Sequence, residues 1–262
     1  MECLDCGKSV VVEASHCHHC GSRIIYRRLG FRDLVVDLFQ RITNLERGLW
    51  PTVRGLTLRP DQVCHGYISG MRKRYTPPAT YALIIGSVYA ILSLLDSEIY
   101  WYEEMISGMS MGGADSSSDP EFLDSFIPFR LPLLFLPVCA ITLINRLFYY
   151  KQYNWAEQAV VALYYYAHLL LIFLVLHTST SLLSSLLLSE NLENPALISM
   201  VIGLIWGGAT VGYKIYVYTG VYQHKNKFLG IAKPLVAFIF GGILNLLPYV
   251  ALALYFLRDT DS

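Results

Sequence analysis

Apolar residues along this chain change in density and period as the sequence proceeds. Residues 1–25 are polar, rich in cysteine and without helical or strand period. Over residues 31–49, Phe31, Leu34, Val35, Leu38, Phe39, Ile42, Leu45 and Leu49 fall on one side of a helix. Arg32, Asp33, Asp37, Arg41 and Arg47 lie mostly elsewhere. This predicts an amphipathic helix, too charged to cross a bilayer, that lies in an interface or on the protein's own apolar domain. Pro51 is expected to end it. A second short helix is predicted from Pro60, a good first-turn residue, to Ser69, closed by Gly70.

From Ala79 onward the apolar runs lengthen. Five membrane spans are predicted, at about 79–95, 127–148, 158–185, 196–216 and 234–257. Tyr75 and Tyr81 suit the interface beside the first, and Arg130 can snorkel from the outer end of the second. The third belongs to a stretch, 158–189, with no Asp, Glu, Lys or Arg. As one helix it would be about 48 Å long, against a hydrocarbon core of about 30 Å. It must tilt, protrude or break, and the Ser/Thr-rich part after His177 is the part expected to protrude. Glu157 and Lys214, near the interface, are expected to be solvated there. Gly203, Gly207, Gly208 and Gly212 are spaced for close helix packing.

Composition supports this division. The chain has 262 residues, 54% hydrophobic and only 15% charged, where soluble domains carry about a quarter. Mean hydropathy is +0.43. Net charge is zero, but residues 1–76 hold 12 of the 20 Lys and Arg, while 96–126 hold eight acidic residues and no basic one. Such segregation is expected of segments on opposite sides of a membrane. Arg72, Lys73 and Arg74 would keep the N-terminal side of the first span in the cytosol and put the acidic loop outside. Five spans then put the C-terminus outside, with Arg258 discordant. The chain begins Met1-Glu2-Cys3, with no signal peptide and no lipidation box visible.

The organisation expected is therefore an all-α polytopic membrane protein of about five transmembrane helices with a small cytosolic zinc ribbon. Residues 1–25 form the ribbon, 26–76 amphipathic and juxtamembrane helices, and 77–262 the transmembrane domain. The ribbon rests on Cys3-Leu4-Asp5-Cys6 and, ten residues later, Cys17-His18-His19-Cys20, each pair followed by glycine. Two thiolates so spaced chelate one metal from a tight turn, with backbone N–H groups directed at the second sulfur, and two such turns supply the tetrahedral sulfur set that zinc prefers. In reducing cytosol stable disulfides are disfavoured. Four thiolates close the shell, so Zn2+ would be structural rather than catalytic. His16, His18 and His19 are read as surface residues, and Cys64 and Cys139 as inert.

These cysteines, the stretch Leu58-Arg59-Pro60-Asp61 … Gly66-Tyr67-Ile68 … Gly70-Met71-Arg72-Lys73-Arg74-Tyr75 … Pro77, and the Tyr213 … Tyr222 … Lys233 region resemble a widespread bacterial family of uncharacterised membrane proteins. That domain-of-unknown-function family is similar in its N-terminal zinc ribbon, its LRP…Y..G.R.RY..P box and its several spans. The resemblance covers most of the chain, is most specific over 58–78, and implies a bacterial inner-membrane protein. It implies no activity.

The basic box has two readings: a topology anchor, or a contact for anionic lipid headgroups formed by Arg59, Arg72, Lys73, Arg74 and Tyr75. His168, Asn245 and Lys233 form a candidate intramembrane polar site, with interhelical hydrogen bonding as the plainer reading. No phosphate loop, HExxH or G-x-S-x-G is present, and no catalytic set stands out. The leading expectation is a non-enzymatic membrane scaffold or regulator whose ribbon docks an unknown cytosolic protein or the chain itself. A small oligomeric transporter or channel comes second, and a lipid-active membrane enzyme using Glu103 and Glu104 third. Nucleic acid is not expected as a partner, since no aromatic–basic stacking pattern accompanies the ribbon.

Overall fold

The computed structural model describes residues 2–11, 14–22, 24, 28–40, 46–95, 130–187, 195–222, 228 and 230–240. The fold is mostly helical, with eight helices among these residues: α1 (Phe31–Gln40), α2 (Glu46–Leu58), α3 (Pro60–Ser69), α4 (Pro78–Leu95), α5 (Arg130–Tyr149), α6 (Trp155–Leu187), α7 (Pro195–Val221) and α8 (Gly230–Phe240). The acidic loop, Asn245 and the predicted fifth span beyond Phe240 lie outside the described residues.

Each helix begins and ends for local reasons. Gly30 N–H donates to Asp33 Oδ2 at 3.0 Å while Asp33 N–H donates to Gly30 O, which starts α1. Pro60 opens α3, and Gly70 closes it at φ 109°, a left-handed conformation that favours glycine. Pro51 does not end its helix as expected; it lies inside α2. Next to it, the Thr52 hydroxyl donates back to Gly48 O at 2.7 Å, one turn earlier. At the start of α6, Asn154 Oδ1 accepts from Glu157 N–H at 2.9 Å, and Glu157 Oε2 accepts from Asn154 N–H at 2.8 Å. This is a reciprocal cap.

Helix α6 is the hub. It packs on α1, α2, α3, α4, α5 and α7, most extensively on α4 and α5. It runs unbroken for 33 residues, so of tilting, protruding and breaking, the last does not occur. It contains no Pro or Gly, and its Thr178 and Ser179 hydroxyls donate back to Leu174 O and Val175 O at 2.9 and 2.6 Å. Among the described residues, one helix segment, Trp155–Ser179, is long and apolar enough to cross a membrane. Pro78–Leu92, Leu136–Tyr149 and Gly230–Phe240 are shorter apolar helices.

The core is rich in tyrosine. Tyr67, Tyr81, Tyr164, Tyr218 and Tyr222 are fully enclosed. Tyr75 and Tyr81, expected at an interface, point inward instead: glycines of α2 and α3 make room for Tyr75, and Tyr81 meets His168. A Cβ at Gly66 would stand 3.3 Å from the Tyr75 ring, and one at Gly55 would stand 2.5 Å from Val63 Cγ2. The α7 glycines differ: no described atom comes within 4 Å of a Cβ at Gly203, Gly207, Gly208 or Gly212. The expected close helix packing at these positions is therefore not made among the described residues.

Glu157 and Lys214 are not solvated as expected. Glu157 is buried and accepts a fork from Arg28, Nε to Oε1 at 3.1 Å and Nη2 to Oε2 at 2.5 Å. Lys214 is buried among aromatic rings of α6, α7 and α8.

Replacing Gly55 by Ala drives a methyl into Val63 and should destabilise the protein by about 1–3 kcal/mol. Thermal unfolding of the purified full-length chain measures this, and an unchanged midpoint would contradict the close α2–α3 contact.

Candidate metal centre

The two cysteine pairs fold as near-duplicate turns. Gly7 N–H donates to Cys3 O at 2.8 Å and Gly21 N–H to Cys17 O at 2.7 Å, with the glycines at φ 70° and 65°. Cys3 N–H then donates to Lys8 O at 2.9 Å and Cys17 N–H to Ser22 O at 2.8 Å. The positive φ at each glycine reverses the chain within one residue, which a side chain would strain. Both turns therefore direct their thiols to a common point.

All four sulfurs of Cys3, Cys6, Cys17 and Cys20 lie within 4.8 Å of one another. Cys3 Sγ is 3.7 Å from Cys20 Sγ, and Cys6 Sγ is 3.8 Å from Cys17 Sγ. A disulfide would require about 2.05 Å. A tetrahedron with metal–sulfur bonds of about 2.3 Å has edges of about 3.8 Å, so this set can hold one metal ion. His16, His18 and His19 are exposed, as read from the sequence.

Backbone amides reach both sulfurs of the second pair, not only the later one. The N–H groups of Cys20 and His19 face Cys17 and lower its thiol to about 6. Burial pushes the Cys20 thiol up to about 12, against the Ser22 N–H that faces it. Among its described residues the module has a small apolar cluster, Cys3, Val10 and Cys17, with Cys6, Ala14, Cys20 and Ile24 packed around it. A metal ion held by the four sulfurs would add bonding that so small an apolar cluster does not supply.

This module docks on the basic box of the same chain. Asp5, between the first two cysteines, accepts from the backbone N–H of Lys73 at 3.1 Å and of Arg72 at 3.3 Å. The Ser22 hydroxyl also donates to Asp5, and Lys73 Nζ donates to the Cys20 carbonyl. Thus the loop between α3 and α4 is bonded to both cysteine turns.

The box residues themselves divide. Arg72 is 1% exposed; its guanidinium pairs with buried Asp37, which also accepts from the Tyr67 hydroxyl at 2.7 Å. Arg72 therefore faces the core rather than a surface ligand. Tyr75 is buried, with Arg74 over its ring at 5.7 Å. Arg59, Lys73 and Arg74 are the exposed basic groups. Thr76 N–H donates to Thr52 Oγ1 at 2.8 Å, and its carbonyl accepts from the Tyr164 hydroxyl at 2.6 Å, so the box is also tied to α2 and α6.

His168 and Lys233 share no partner among the described residues. Both ring nitrogens of His168 are engaged, Nδ1 with the Tyr81 hydroxyl at 2.9 Å and Nε2 with Thr57 Oγ1 at 3.1 Å. Lys233 lies over the Tyr149 ring at 5.7 Å. The third member, Asn245, is outside the described residues. Sequence reasoning missed Asp5, Asp37 and Ser22 as partners. The one local signal was Asp5 itself, an acid placed between two metal-spaced cysteines.

A family described as "Protein of unknown function (DUF3667)" matches residues 46–90. That segment comprises α2, α3, the box and most of α4, and the chain is similar to the family over it. The cysteine module precedes the matched segment. No curated protein and no solved structure matches the chain.

Replacing any one of the four cysteines by Ser should lower bound metal from one per chain to below a tenth of that, measured by elemental analysis of purified protein. Exchanging His18 and His19 for Ala together should leave the stoichiometry unchanged. Replacing His168 by Leu strands the buried Tyr81 hydroxyl and should cost about 1–3 kcal/mol in unfolding experiments.

Proposed function

We propose that the chain is a polytopic bacterial inner-membrane protein whose zinc ribbon clamps its own juxtamembrane box, and that it acts as a non-enzymatic regulatory scaffold. The observation carrying this reading is the bonding of Asp5, held between two metal-spaced cysteines, to the backbone of Arg72 and Lys73. Asp5 can hold those amides only while the first cysteine turn keeps its shape. Metal occupancy therefore controls the loop that leads directly into α4.

Zinc fits the sulfur geometry because a d10 ion accepts a regular tetrahedron and four thiolates leave no open position for water. The site then has a structural use. The membrane reading is supported by large apolar side chains that stay exposed: Leu83, Val88 and Ile91 on α4, Leu143 and Leu147 on α5, Val175 on α6, Leu204 and Ile205 on α7, and Ile231, Leu235, Val236, Ile239 and Phe240 on α8. Polar groups take the opposite side: Thr80, Thr142, Asn145, Gln158 and His168 are buried. Apolar surface outward and polar groups inward is the arrangement lipid favours. With the basic box in the cytosol, the N-terminus lies there and the C-terminus outside. The occupied nitrogens of His168 favour a packing role for it over a place in a transport path.

Hydrogen exchange of the full-length protein in nanodiscs tests the clamp. Chelation of zinc should speed exchange of the amides of residues 70–73 at least tenfold while peptides from the middle of α6 stay protected. Replacement of Asp5 by Ala should do the same with zinc still bound. Exchange at 70–73 that ignores both changes would end this reading.

A further inference from the structure

Two lysines lie over rings of one tyrosine cluster at a corner of the helix assembly, and neither is paired with a carboxylate among the described residues. Lys214 on α7 is 5% exposed. Its ammonium lies 5.4 Å from the Tyr218 ring centre, 5.8 Å from that of Tyr165 and 5.3 Å from that of Phe238. Lys233 on α8 lies over Tyr149 of α5, whose ring centre is 6.0 Å from that of Tyr218. Asn145, one turn before Tyr149, is 1% exposed. Its Oδ1 accepts from the Tyr218 hydroxyl at 2.6 Å, while its Nδ2 has no hydrogen-bond partner. The Tyr218 bond fixes the amide orientation, so Nδ2 is held as a donor.

Among the described residues, the nearby acids are committed or distant. Glu157 is taken by Arg28. Asp61 approaches α7 at Gly220, where a Cβ would stand 3.3 Å from it, about 9 Å further along the helix than Lys214. After Glu157 the chain has only Glu190, Glu193, Asp259 and Asp261 as acidic residues. Glu190 and Glu193 lie outside the described residues, as does the acidic loop. Asp259 and Asp261 lie outside the described residues. Aromatic faces attract a buried cation less strongly than the hydration it gives up. No described carboxylate therefore neutralises this corner.

We infer that a phosphate group binds at this corner between α5, α7 and α8, held by Lys214, Lys233 and the Asn145 amide. Two ammonium groups match the charge of a phosphate, and a fixed N–H donor completes one oxygen. Basic pockets between helices at the cytosolic end of a membrane domain suit headgroups in this way. The phosphate is that of an anionic phospholipid or of a free phosphate ester. This site is separate from the metal clamp, so each can fail alone. Its lipid form rests on the membrane reading, and its free-phosphate form does not.

Thermal unfolding of the delipidated full-length protein in neutral detergent tests the inference. Phosphatidylglycerol is compared with phosphatidylcholine, and inorganic phosphate with chloride at equal ionic strength. Either phosphatidylglycerol or phosphate should raise the midpoint by several degrees, with Lys214→Gln or Lys233→Gln weakening the apparent affinity at least tenfold. A response to phosphatidylglycerol alone identifies a lipid headgroup; a response to inorganic phosphate identifies a free ester. Lys151→Gln, an exposed lysine over Tyr150, should change nothing. If Lys214→Gln fails to fold, half-buried Lys233 carries the test. Midpoints no higher in phosphatidylglycerol than in phosphatidylcholine and no higher in phosphate than in chloride, or full affinity retained in the Lys233 variant, would overturn the site.

Discussion

Arg72 is held from two directions, and the geometry around it organises everything N-terminal to α4. Its side chain runs inward to Asp37 of α1, beside the Tyr67 hydroxyl of α3. Its backbone N–H runs outward to Asp5 of the cysteine module. An ion pair removed from water is stable only while both partners stay in place, because either one left alone would be an uncompensated buried charge. The pair therefore fixes where α1 meets the box, and the amides beside it fix where the cysteine turns dock.

A second set of ties does the same at the other end of the N-terminal segment. Glu157 caps α6 and receives the Arg28 fork, while Asn154 donates to Leu29 O at 2.9 Å. Arg28 is largely exposed, 67% against 3% for Glu157, so solvent screens its share of the attraction and the hydrogen bonding matters more than the charge. Together these contacts make a segment with little apolar burial of its own follow the hub helix. A change in the cysteine turns would be felt through Asp5 at residues 70–73 and then at Thr76, which is bonded to α2 and α6.

The interior combines tyrosines with buried amides and imidazole, and their partners are consistent. Tyr218 meets Asn145, Tyr222 meets Gln158, Tyr81 meets His168 and Tyr153 meets His65. Each tyrosine supplies a large apolar body and one hydroxyl, so it fills core volume and satisfies a buried polar group at the same time. Lys214 breaks this pattern, since its neighbours are ring faces rather than acceptors.

Local features were legible in the residues alone. The spacing of Cys3, Cys6, Cys17 and Cys20 marked a four-sulfur site because chelation by a tight turn is a local geometry. Pro60 and Gly70 bracketed α3 because each acts on its own backbone. Apolar density marked where the long helices run. What tertiary structure alone decided is the direction of the long polar side chains. Arg72 reads as a surface cation, Glu157 and Lys214 as solvated ends, and Tyr75 and Tyr81 as interface residues. Each turns inward because a distant partner arrives: Asp37 for Arg72, Arg28 for Glu157, glycine faces of α2 and α3 for Tyr75, His168 for Tyr81, and rings of three helices for Lys214. Arg28 and Glu157 are 129 residues apart, and no periodicity along the chain carries that separation. Whether a charge meets water or a counter-group depends on which segments the fold brings together.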